Sequence, residues 1–474
     1  MRKLWKHQAK EIEAARHMPQ RLLLWCPGTG KSFTIVSIIK EKYEAHGNMR
    51  TLILCPSAVL YNWKNEFRLG SDIPQESVHV IDGTAAKRLK TCDKIRYTKD
   101  IAIVNYEALG TKAIMDFFVE WKPEIVVLDE IHAIKSYKAA RAKNATKLCK
   151  SAKYKYGLSG TIILNSEMDL FQPFLALDGG KRFGTNFFKF RLKYFYDKKA
   201  NAPSAVRFGG DWHLKESMEP VMQKSIYEIA SRVKKDECLD LPPLVEKTHY
   251  VKLGKKQQRM YDDMKKQYIA FLDEHAEIGD DAAVADTALE KMLRLQQIVS
   301  GYIKTDKGDI IDLEENPRLD AVEHYLTELT GEHKVILWCS YRHDYKTLSK
   351  LCEKLKIKHE FITGAQSAKQ KHEAMESFRN DSDVRVIIAN RRAGGTGINL
   401  IEASYSIIYS RNFSLEEELQ SQARNYRGGS EIHDRITKID IVAENTVDEH
   451  VIKSLRNKEE IGEKILGRED LGDE

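Results

Sequence analysis

The residues best suited to chemistry lie in a short glycine loop near the start of the chain. Gly28, Thr29 and Gly30 lead directly into Lys31 and Ser32. Glycines let a backbone bend so that its N–H groups face an anion, and a lysine adds a positive charge. The spacing predicts a site for the phosphates of a nucleoside triphosphate. In that site Lys31 would bind the β- and γ-phosphates, and the Ser32 hydroxyl would bind Mg²⁺.

The flanking residues support this interpretation of the loop. An apolar run at residues 22–25 precedes it, and helical spacing at residues 32–45 follows it. A phosphate loop needs this arrangement, because the N-terminus of the next helix also faces the anion. The glycine that usually opens the pattern is replaced by Trp25. The alternative is an ordinary strand–turn–helix corner with an exposed lysine, which the flanking elements disfavour.

A second candidate group consists of Asp129 and Glu130, which follow an apolar run at residues 125–128. Ligands of parallel sheets bind at the carboxyl ends of the strands, where this pair would lie. We predict that Asp129 holds Mg²⁺ and that Glu130 is the general base for an attacking water. His132 is either an ordinary polar residue or a link between this site and a later motif.

The chain alternates short apolar runs with helix-like stretches, which predicts an α/β fold with parallel sheets. Two series of such runs are separated by an aromatic and basic segment at residues 166–238 and by a helix-like segment at residues 254–310. Pro242 and Pro243 between them predict a stiff connector. We therefore expect two lobes, residues 1–241 and 242–474, with helical insertions at about 166–238 and 254–310.

Composition excludes several other classes of protein. The 474 residues carry a formal net charge of +6, with 31 % charged and 42 % apolar residues. These values argue against a disordered chain and against a histone-like polycation. The seven cysteines are odd in number and lack a CxxC pair, which disfavours a zinc finger or a disulfide scaffold. No run suits a membrane span or a signal peptide, so we expect no membrane partner and a cytoplasmic protein, in a bacterial or virus-infected cell.

Taken together, the motifs resemble the Swi/Snf-type ATPases of helicase superfamily two. The resemblance covers almost the whole chain and includes a DExH box at residues 129–132 and a sixth motif with Gln420, Arg424 and Arg427. Ile162 departs from the family pattern, which has proline there, as do the loops at residues 411–413 and 428–430. The other matching segments are residues 4–8, 51–67, 103–109, 158–164, 334–341 and 391–400.

The resemblance implies two RecA-like lobes, each with helical insertions, and hydrolysis of ATP with Mg²⁺. It implies that Gln8 reads the adenine edge, that Gly397 belongs to the nucleotide site, and that Arg424 and Arg427 are arginine fingers. It also implies a double-stranded DNA partner. The residues expected to contact nucleic acid are Ser57, Asn105, Tyr106, Ser340, Tyr341 and Arg392.

The leading hypothesis is a monomeric ATP-dependent translocase on double-stranded DNA that remodels protein–DNA complexes or DNA junctions. The alternatives are a strand-separating DNA or RNA helicase, the motor subunit of a larger nuclease or defence complex, and a binding module with a decayed motor. The basic and aromatic segment around residues 187–201 is a further candidate for phosphate contact. Its other interpretation is a packed helical protrusion with solvated lysines.

Overall fold

A computed structural model describes residues 3–199, 210–235, 237–238, 240–274, 282–305, 307–392 and 398–466. The chain forms two compact units. Unit 1 comprises Met1–Phe195, Leu214–Asp240 and Lys458–Glu474, and unit 2 comprises Tyr196–His213 and Leu241–Asn457. Gly397, expected at the nucleotide site, lies outside the described residues.

The first half of the chain alternates strands and helices almost without interruption. In chain order the elements are α1 (Lys6–His17), β1 (Gln20–Trp25), α2 (Lys31–His46), β2 (Thr51–Cys55), α3 (Leu60–Gly70), β3 (Val78–Ile81), α4 (Ala85–Ile95), β4 (Ile101–Asn105), α5 (Lys112–Trp121), β5 (Ile125–Asp129), α6 (Ala140–Ser151), β6 (Tyr154–Leu158), α7 (Phe171–Asp178), α8 (Phe187–Tyr194), β7 (Phe195–Asp197), β8 (Trp212–Leu214), α9 (Glu219–Tyr227) and β9 (Ala230–Val233).

The sheet of unit 1 places all the candidate loops at one edge. Its strands are parallel, in the order β3-β4-β2-β5-β6-β1-β9. Every residue of β2, β4 and β5 is buried, because helices cover both faces of a parallel sheet. The loops that follow β1, β2, β4, β5 and β6 therefore leave the same edge, which is the usual ligand edge of such a sheet.

Unit 2 repeats this design with a second sheet. The remaining elements are β10 (Leu244–Val251), α10 (Lys255–Glu274), α11 (Ala282–Val299), β11 (Tyr302–Lys304), β12 (Ile310–Asp312), α12 (Pro317–Leu329), β13 (Val335–Cys339), α13 (Arg342–Lys354), β14 (Lys358–Ile362), α14 (Ala368–Asn380), β15 (Val384–Asn390), β16 (Tyr405–Ile408), α15 (Leu415–Gln422), β17 (Ile436–Ala443) and α16 (Val447–Leu466). The strand order of the parallel sheet is β10-β17-β16-β13-β15-β14.

The expected α/β class with two parallel-sheet lobes and helical additions is confirmed. The additions differ in detail from the expectation. The segment 166–238 ends in β9, which extends the main sheet beside β1. In the segment 254–310, residues of α10 and α11 belong to the core of unit 2, and β11 pairs with β12 in an antiparallel hairpin. Among the described helices, none combines the length and apolar character needed to cross a bilayer.

Candidate nucleotide and catalytic site

The glycine loop has the conformation that the sequence pattern requires. Gly28 and Gly30 have φ angles of 89° and 84°, in the left-handed region that favours glycine. Gly30 directly precedes α2, which begins at Lys31. A Cβ atom at Gly30 would lie 2.2 Å from Nε2 of Gln8, so a larger residue would displace that side chain. The loop and the Gln8 amide therefore fit together only because position 30 is glycine.

Gln8 itself is buried and engaged with the backbone around the loop. Its Nε2 donates to the Gly30 carbonyl at 3.4 Å, and its Oε1 accepts from the Trp5 N–H at 2.8 Å. His7 adds a ring nitrogen 2.9 Å from the Thr29 carbonyl. In this conformation the start of α1 braces the loop. Contact between Gln8 and the edge of the adenine base stays a prediction.

Lys31 lies over the end of β1. Its Nζ donates to the carbonyl oxygens of Trp25 at 2.7 Å and of Cys26 at 3.3 Å. Lys31 follows β1 and Asp129 ends β5, so both lie where parallel strands of one sheet end, at the same edge. The Ser32 side chain is half-buried, and its hydroxyl makes no hydrogen bond within the part of the chain that the structure describes.

The Asp129 carboxylate is the most constrained group of the site. It is 9 % exposed, and its Oδ2 accepts a 2.8 Å hydrogen bond from the indole N–H of Trp63. Burial raises its pKa to about 6, and the charge of Glu130 acts in the same direction. The hydrogen bond from Trp63 and the charge of Lys31 oppose this shift. Two adjacent carboxylates at a buried edge favour a cation, because a positive charge would stabilise both ionised forms.

Tyr106 holds Asp129 from the other side. Its hydroxyl donates to the Asp129 carbonyl at 2.8 Å, and its side chain is 1 % exposed. The buried ring orients Asp129, and the contact of Tyr106 with nucleic acid stays a prediction. Asn105 is also buried, with its Nδ2 donating to Glu107 at 2.7 Å. Of the three residues predicted for this face of unit 1, only Ser57 is exposed.

Glu130 adopts a backbone conformation that is uncommon for a residue with a side chain. Its φ is 49°, in the left-handed region, where non-glycine residues are found mainly in turns and at functional sites. Its carboxylate lies 3.4 Å from Nδ1 of His132, and the same nitrogen lies 3.1 Å from the Ser159 hydroxyl. Ser159 in turn donates to the Thr161 carbonyl at 2.8 Å. His132 thus links Glu130 to the segment after β6.

The basic residues predicted in unit 2 differ sharply in their surroundings. Arg392 is exposed, whereas its neighbour Arg391 is fully buried in an ion pair with Glu418. Arg424 is 7 % exposed, and it donates to the carbonyl oxygens of Gln420 at 2.8 Å and Ile398 at 3.1 Å.

Arg427 is half-buried, and burial lowers the pKa of its guanidinium. No carboxylate in the described part of the chain lies within ion-pair distance of it. Arg427 therefore has unused donors for an anion.

Ser340 and Tyr341 follow β13 and are tied into the protein. The Tyr341 hydroxyl donates to the Gln296 side chain at 2.6 Å, and the Ser340 N–H donates to the Ser410 hydroxyl at 2.8 Å. Asp344 joins them, since its Oδ2 accepts from the Tyr341 N–H at 3.3 Å and from the Ser410 hydroxyl at 2.5 Å. Ser340 and Tyr341 are only half-buried, so part of each side chain remains accessible.

Two residues that organise these sites were not assigned a role from the sequence. Trp63 lies in the matching segment at residues 51–67. Nothing in its spacing indicates that its indole reaches a carboxylate 66 residues later. Asp344 follows an ordinary turn at the start of α13, and its burial depends on Ser410 after β16. Both contacts arise only when distant strands become neighbours in the sheet.

Asp344 gives a prediction about pH and stability. Burial raises the pKa of its carboxyl from 3.8 to about 6. The unfolded chain ionises at lower pH, so this group costs the fold about 3 kcal/mol above pH 6 and almost nothing below pH 4. We expect Asp344→Asn to gain stability relative to wild type as pH rises from 4 to 7, measured by the melting temperature. Parallel melting curves across that range would contradict this assignment.

Comparison with known proteins places the chain in a family. Residues 17–301 match the SNF2-related domain, and residues 317–429 match the helicase conserved C-terminal domain. An uncharacterized ATP-dependent helicase of Mycoplasma genitalium is 25 % identical over 93 % of this chain and 39 % of its own length. The transcription regulatory protein SNF2 of Saccharomyces cerevisiae is 25 % identical over 93 % of this chain and 26 % of its own length.

A Caenorhabditis elegans homologue of the SWI/SNF-related matrix-associated actin-dependent regulator of chromatin subfamily A-like protein 1 is 24 % identical over 96 % of this chain and 61 % of its own length. The structure of the Sulfolobus solfataricus SWI2/SNF2 ATPase core in complex with dsDNA covers 99 % of this chain and 94 % of its own, with 21 % identity and a TM-score of 0.43. The chain spans about two fifths of the length of the two curated relatives from Mycoplasma. Because the SNF2-related match covers more than half of the sequence, the chain belongs to the SNF2-related family of helicase-like ATPases.

Proposed function

We propose that this chain hydrolyses ATP and that binding of double-stranded DNA stimulates this hydrolysis. The observation that carries the proposal is the arrangement around Asp129. Its carboxylate feels the charge of Lys31 and accepts a hydrogen bond from Trp63, and its main-chain carbonyl accepts one from Tyr106. Trp63 and Tyr106 belong to segments that follow β2 and β4. These segments leave the same edge of the sheet as Ser57, so a ligand bound there would act on the groups that position Asp129.

The residues at this edge fit a magnesium ion with its nucleotide. Ser32 and Asp129 offer hydroxyl and carboxylate oxygens, the hard donors that Mg²⁺ prefers. The raised pKa of Asp129 fits as well, since a cation would favour the ionised carboxyl. Magnesium would neutralise charge on the phosphate oxygens as the bond to the last phosphate breaks.

Each remaining group has a role that its position supports. Lys31 would exchange its contacts with the Trp25 and Cys26 carbonyls for contacts with phosphate, which binds an ammonium more strongly. Glu130 would take the proton from the attacking water, and His132 would orient its carboxylate. The main-chain N–H groups of Gly28–Lys31 would hold the phosphates at the start of α2.

Duplex DNA is favoured over a separated strand by the relatives of the chain. The archaeal core to which it is similar was solved with dsDNA, one relative is named as a CHD3-type chromatin-remodeling factor, and another is named as a regulator of chromatin. The Mycoplasma relatives are named as ATP-dependent helicases, so strand separation is the main alternative outcome. We propose translocation along the duplex, with the exposed Ser57 and Arg392 among the residues that contact phosphate.

The first test measures phosphate release with Mg²⁺ and ATP in the presence of duplex DNA, single-stranded DNA or RNA. We expect duplex DNA to raise the rate most. Glu130→Gln should bind ATP but lose about 10²- to 10⁴-fold in turnover, as expected for removal of a general base. The control Lys31→Ala should lose binding as well. Equal rates with and without nucleic acid would overturn the coupling, and robust unwinding of a tailed duplex would favour the helicase alternative.

A second test concerns the support of Asp129. Trp63→Phe keeps an aromatic ring in the core but removes the N–H that donates to the carboxylate. We expect the Mg²⁺ concentration needed for half-maximal ATPase activity to rise about 10- to 100-fold. Trp121→Phe is a matched control, because Trp121 is equally buried and donates instead to the Ile95 carbonyl at 2.9 Å. If the two variants shift the Mg²⁺ requirement alike, the indole of Trp63 has no special role.

A third test separates the two candidate arginine fingers. Arg427 has no carboxylate partner within the described residues, whereas Arg424 is bound to two carbonyl oxygens. We expect Arg427→Ala to lower kcat about 10³-fold with little change in KM or in melting temperature. Arg424→Ala should lower the melting temperature as well. A rise in KM with unchanged kcat in Arg427→Ala would rule out its finger role.

A further inference from the structure

A long basic segment directly follows the candidate catalytic pair. Between Glu130 and Glu167 the sequence has seven lysines, one arginine and no acidic residue. The formal net charge of the whole chain is only +6, so this one segment carries more positive charge than the entire excess. Such a concentration in an otherwise balanced sequence indicates a local surface for an anionic partner.

The structure gathers three of these lysines on one face of α6. Lys143, Lys147 and Lys150 are exposed, with spacings of four and three residues that align them along the helix. The opposite face of α6 is buried and small, with Ala142, Ala145 and Cys149 in contact with the protein. We call the three aligned residues the α6 lysine stripe. Among the described residues, no carboxylate lies within ion-pair distance of any of them.

The α6 lysine stripe is unfavourable for the isolated helix. Like charges three or four residues apart cost a helix about 0.2–0.5 kcal/mol per pair. The first turn of α6 has no acidic residue and instead contains Arg141, which opposes the helix dipole. The repulsion among the lysines would fall if they bound a polyanion.

The stripe also forms one wall of a surface cleft. The cleft has a volume of about 290 Å³, and aromatic rings of Tyr137, Phe171 and Phe187 form much of the rest of its lining. The rings of Tyr137 and Phe187 are stacked, with centroids 4.1 Å apart and planes at 15°. The stacked rings and the lysines therefore line the same cleft.

The helix that bears the stripe contacts the predicted nucleic-acid face. The side-chain amide of Asn144, on α6, donates to the Leu109 carbonyl at 2.8 Å. Leu109 belongs to the short helix Tyr106–Gly110, whose first residue holds Asp129. A ligand on α6 is therefore one contact away from the segment that positions the catalytic carboxylate.

We propose that the α6 lysine stripe binds the phosphate backbone of double-stranded DNA, as a contact of unit 1 additional to Ser57. Seven helical residues span roughly 10 Å, and flexible lysine side chains can then reach two or three successive phosphates. Contacts of this kind position a duplex without reading its sequence. The inference rests on the proposed function, since it assumes that the chain binds duplex DNA.

The test replaces all three lysines with glutamine and measures duplex binding by fluorescence anisotropy over a range of salt concentrations. Each lost phosphate contact should reduce the slope of log K against log salt by about 0.9, so we expect a reduction of about 2–3 and roughly 10-fold or more weaker binding at 0.1 M salt. The same three positions changed to arginine should keep the wild-type slope, which separates loss of charge from loss of fold.

A matched control is available on α4. Lys87, Lys90 and Lys94 are also exposed, lie on one helix face, and have no carboxylate within ion-pair distance among the described residues. Their triple change to glutamine removes the same charge and should leave the slope unchanged. Equal effects of the two triples, or no effect of the α6 triple, would overturn the proposal.

Three further outcomes separate this proposal from the proposed function. If the α6 triple keeps the duplex slope but loses binding to poly-glutamate, an acidic protein partner replaces DNA at the stripe. If wild-type ATPase activity rises with duplex DNA while the α6 triple binds DNA normally, only the stripe is overturned. If duplex DNA neither binds nor stimulates the wild type, the proposed function and the stripe both fail.

Discussion

The hydrogen bonds that hold the buried carboxylate of Asp129 are the constraint on which the candidate site depends. A carboxylate with little access to water is costly unless donors or cations compensate for the lost hydration. Trp63 supplies a donor to the side chain, Tyr106 supplies one to the carbonyl, and Lys31 supplies a nearby positive charge. These three residues belong to the segments that follow β1, β2 and β4 at one edge of the sheet, so the position and charge of Asp129 depend on all three segments. The free energy of ionising the Asp129 carboxyl therefore depends on how its neighbours are placed.

This constraint gives a physical reason for the arrangement of these segments along the parallel sheet. The segments after β2 and β4, which resemble nucleic-acid-facing motifs, each contribute one buried residue to Asp129 and leave their exposed residues at the surface. Under the proposed function, a ligand bound at that surface would alter the candidate nucleotide site without any long pathway through the protein. The α6 lysine stripe would extend the same arrangement, because Asn144 connects α6 to the segment that begins at Tyr106. In unit 2, Arg424 and Arg427 also differ in what their side chains contact. The guanidinium of Arg424 donates to two backbone carbonyl oxygens, whereas that of Arg427 has donors available for an anion.

Elements with a clear local sequence pattern could be predicted, whereas contacts between distant strands could not. Buried strands such as β2 and β5 are continuous apolar runs, and the phosphate loop has its own glycine pattern, so both were accessible from the sequence.

The strand β9 was missed because four residues with two half-buried positions do not stand out from aromatic and basic surroundings. β10 was missed because it is an edge strand with several exposed polar residues. Tyr106 was assigned to nucleic acid because its motif faces that way, whereas its ring turns inward to Asp129. No periodicity in a single chain reports such a contact, since it exists only between neighbouring strands of the folded sheet.

If nucleotide and duplex DNA are coupled through the residues around Asp129, reciprocal binding measurements should reveal the coupling. In Glu130→Gln, which should bind ATP without turnover, the affinity for duplex DNA is measured with and without Mg²⁺ and ATP, and the affinity for ATP with and without duplex DNA. We expect each ligand to tighten binding of the other by one and the same factor, as thermodynamic linkage requires. We also expect that adding Tyr106→Phe, which removes only the hydroxyl that holds the Asp129 carbonyl, brings this factor closer to one. A factor of one in Glu130→Gln, or a factor unchanged by loss of the Tyr106 hydroxyl, would show that the residues around Asp129 do not couple the two ligands.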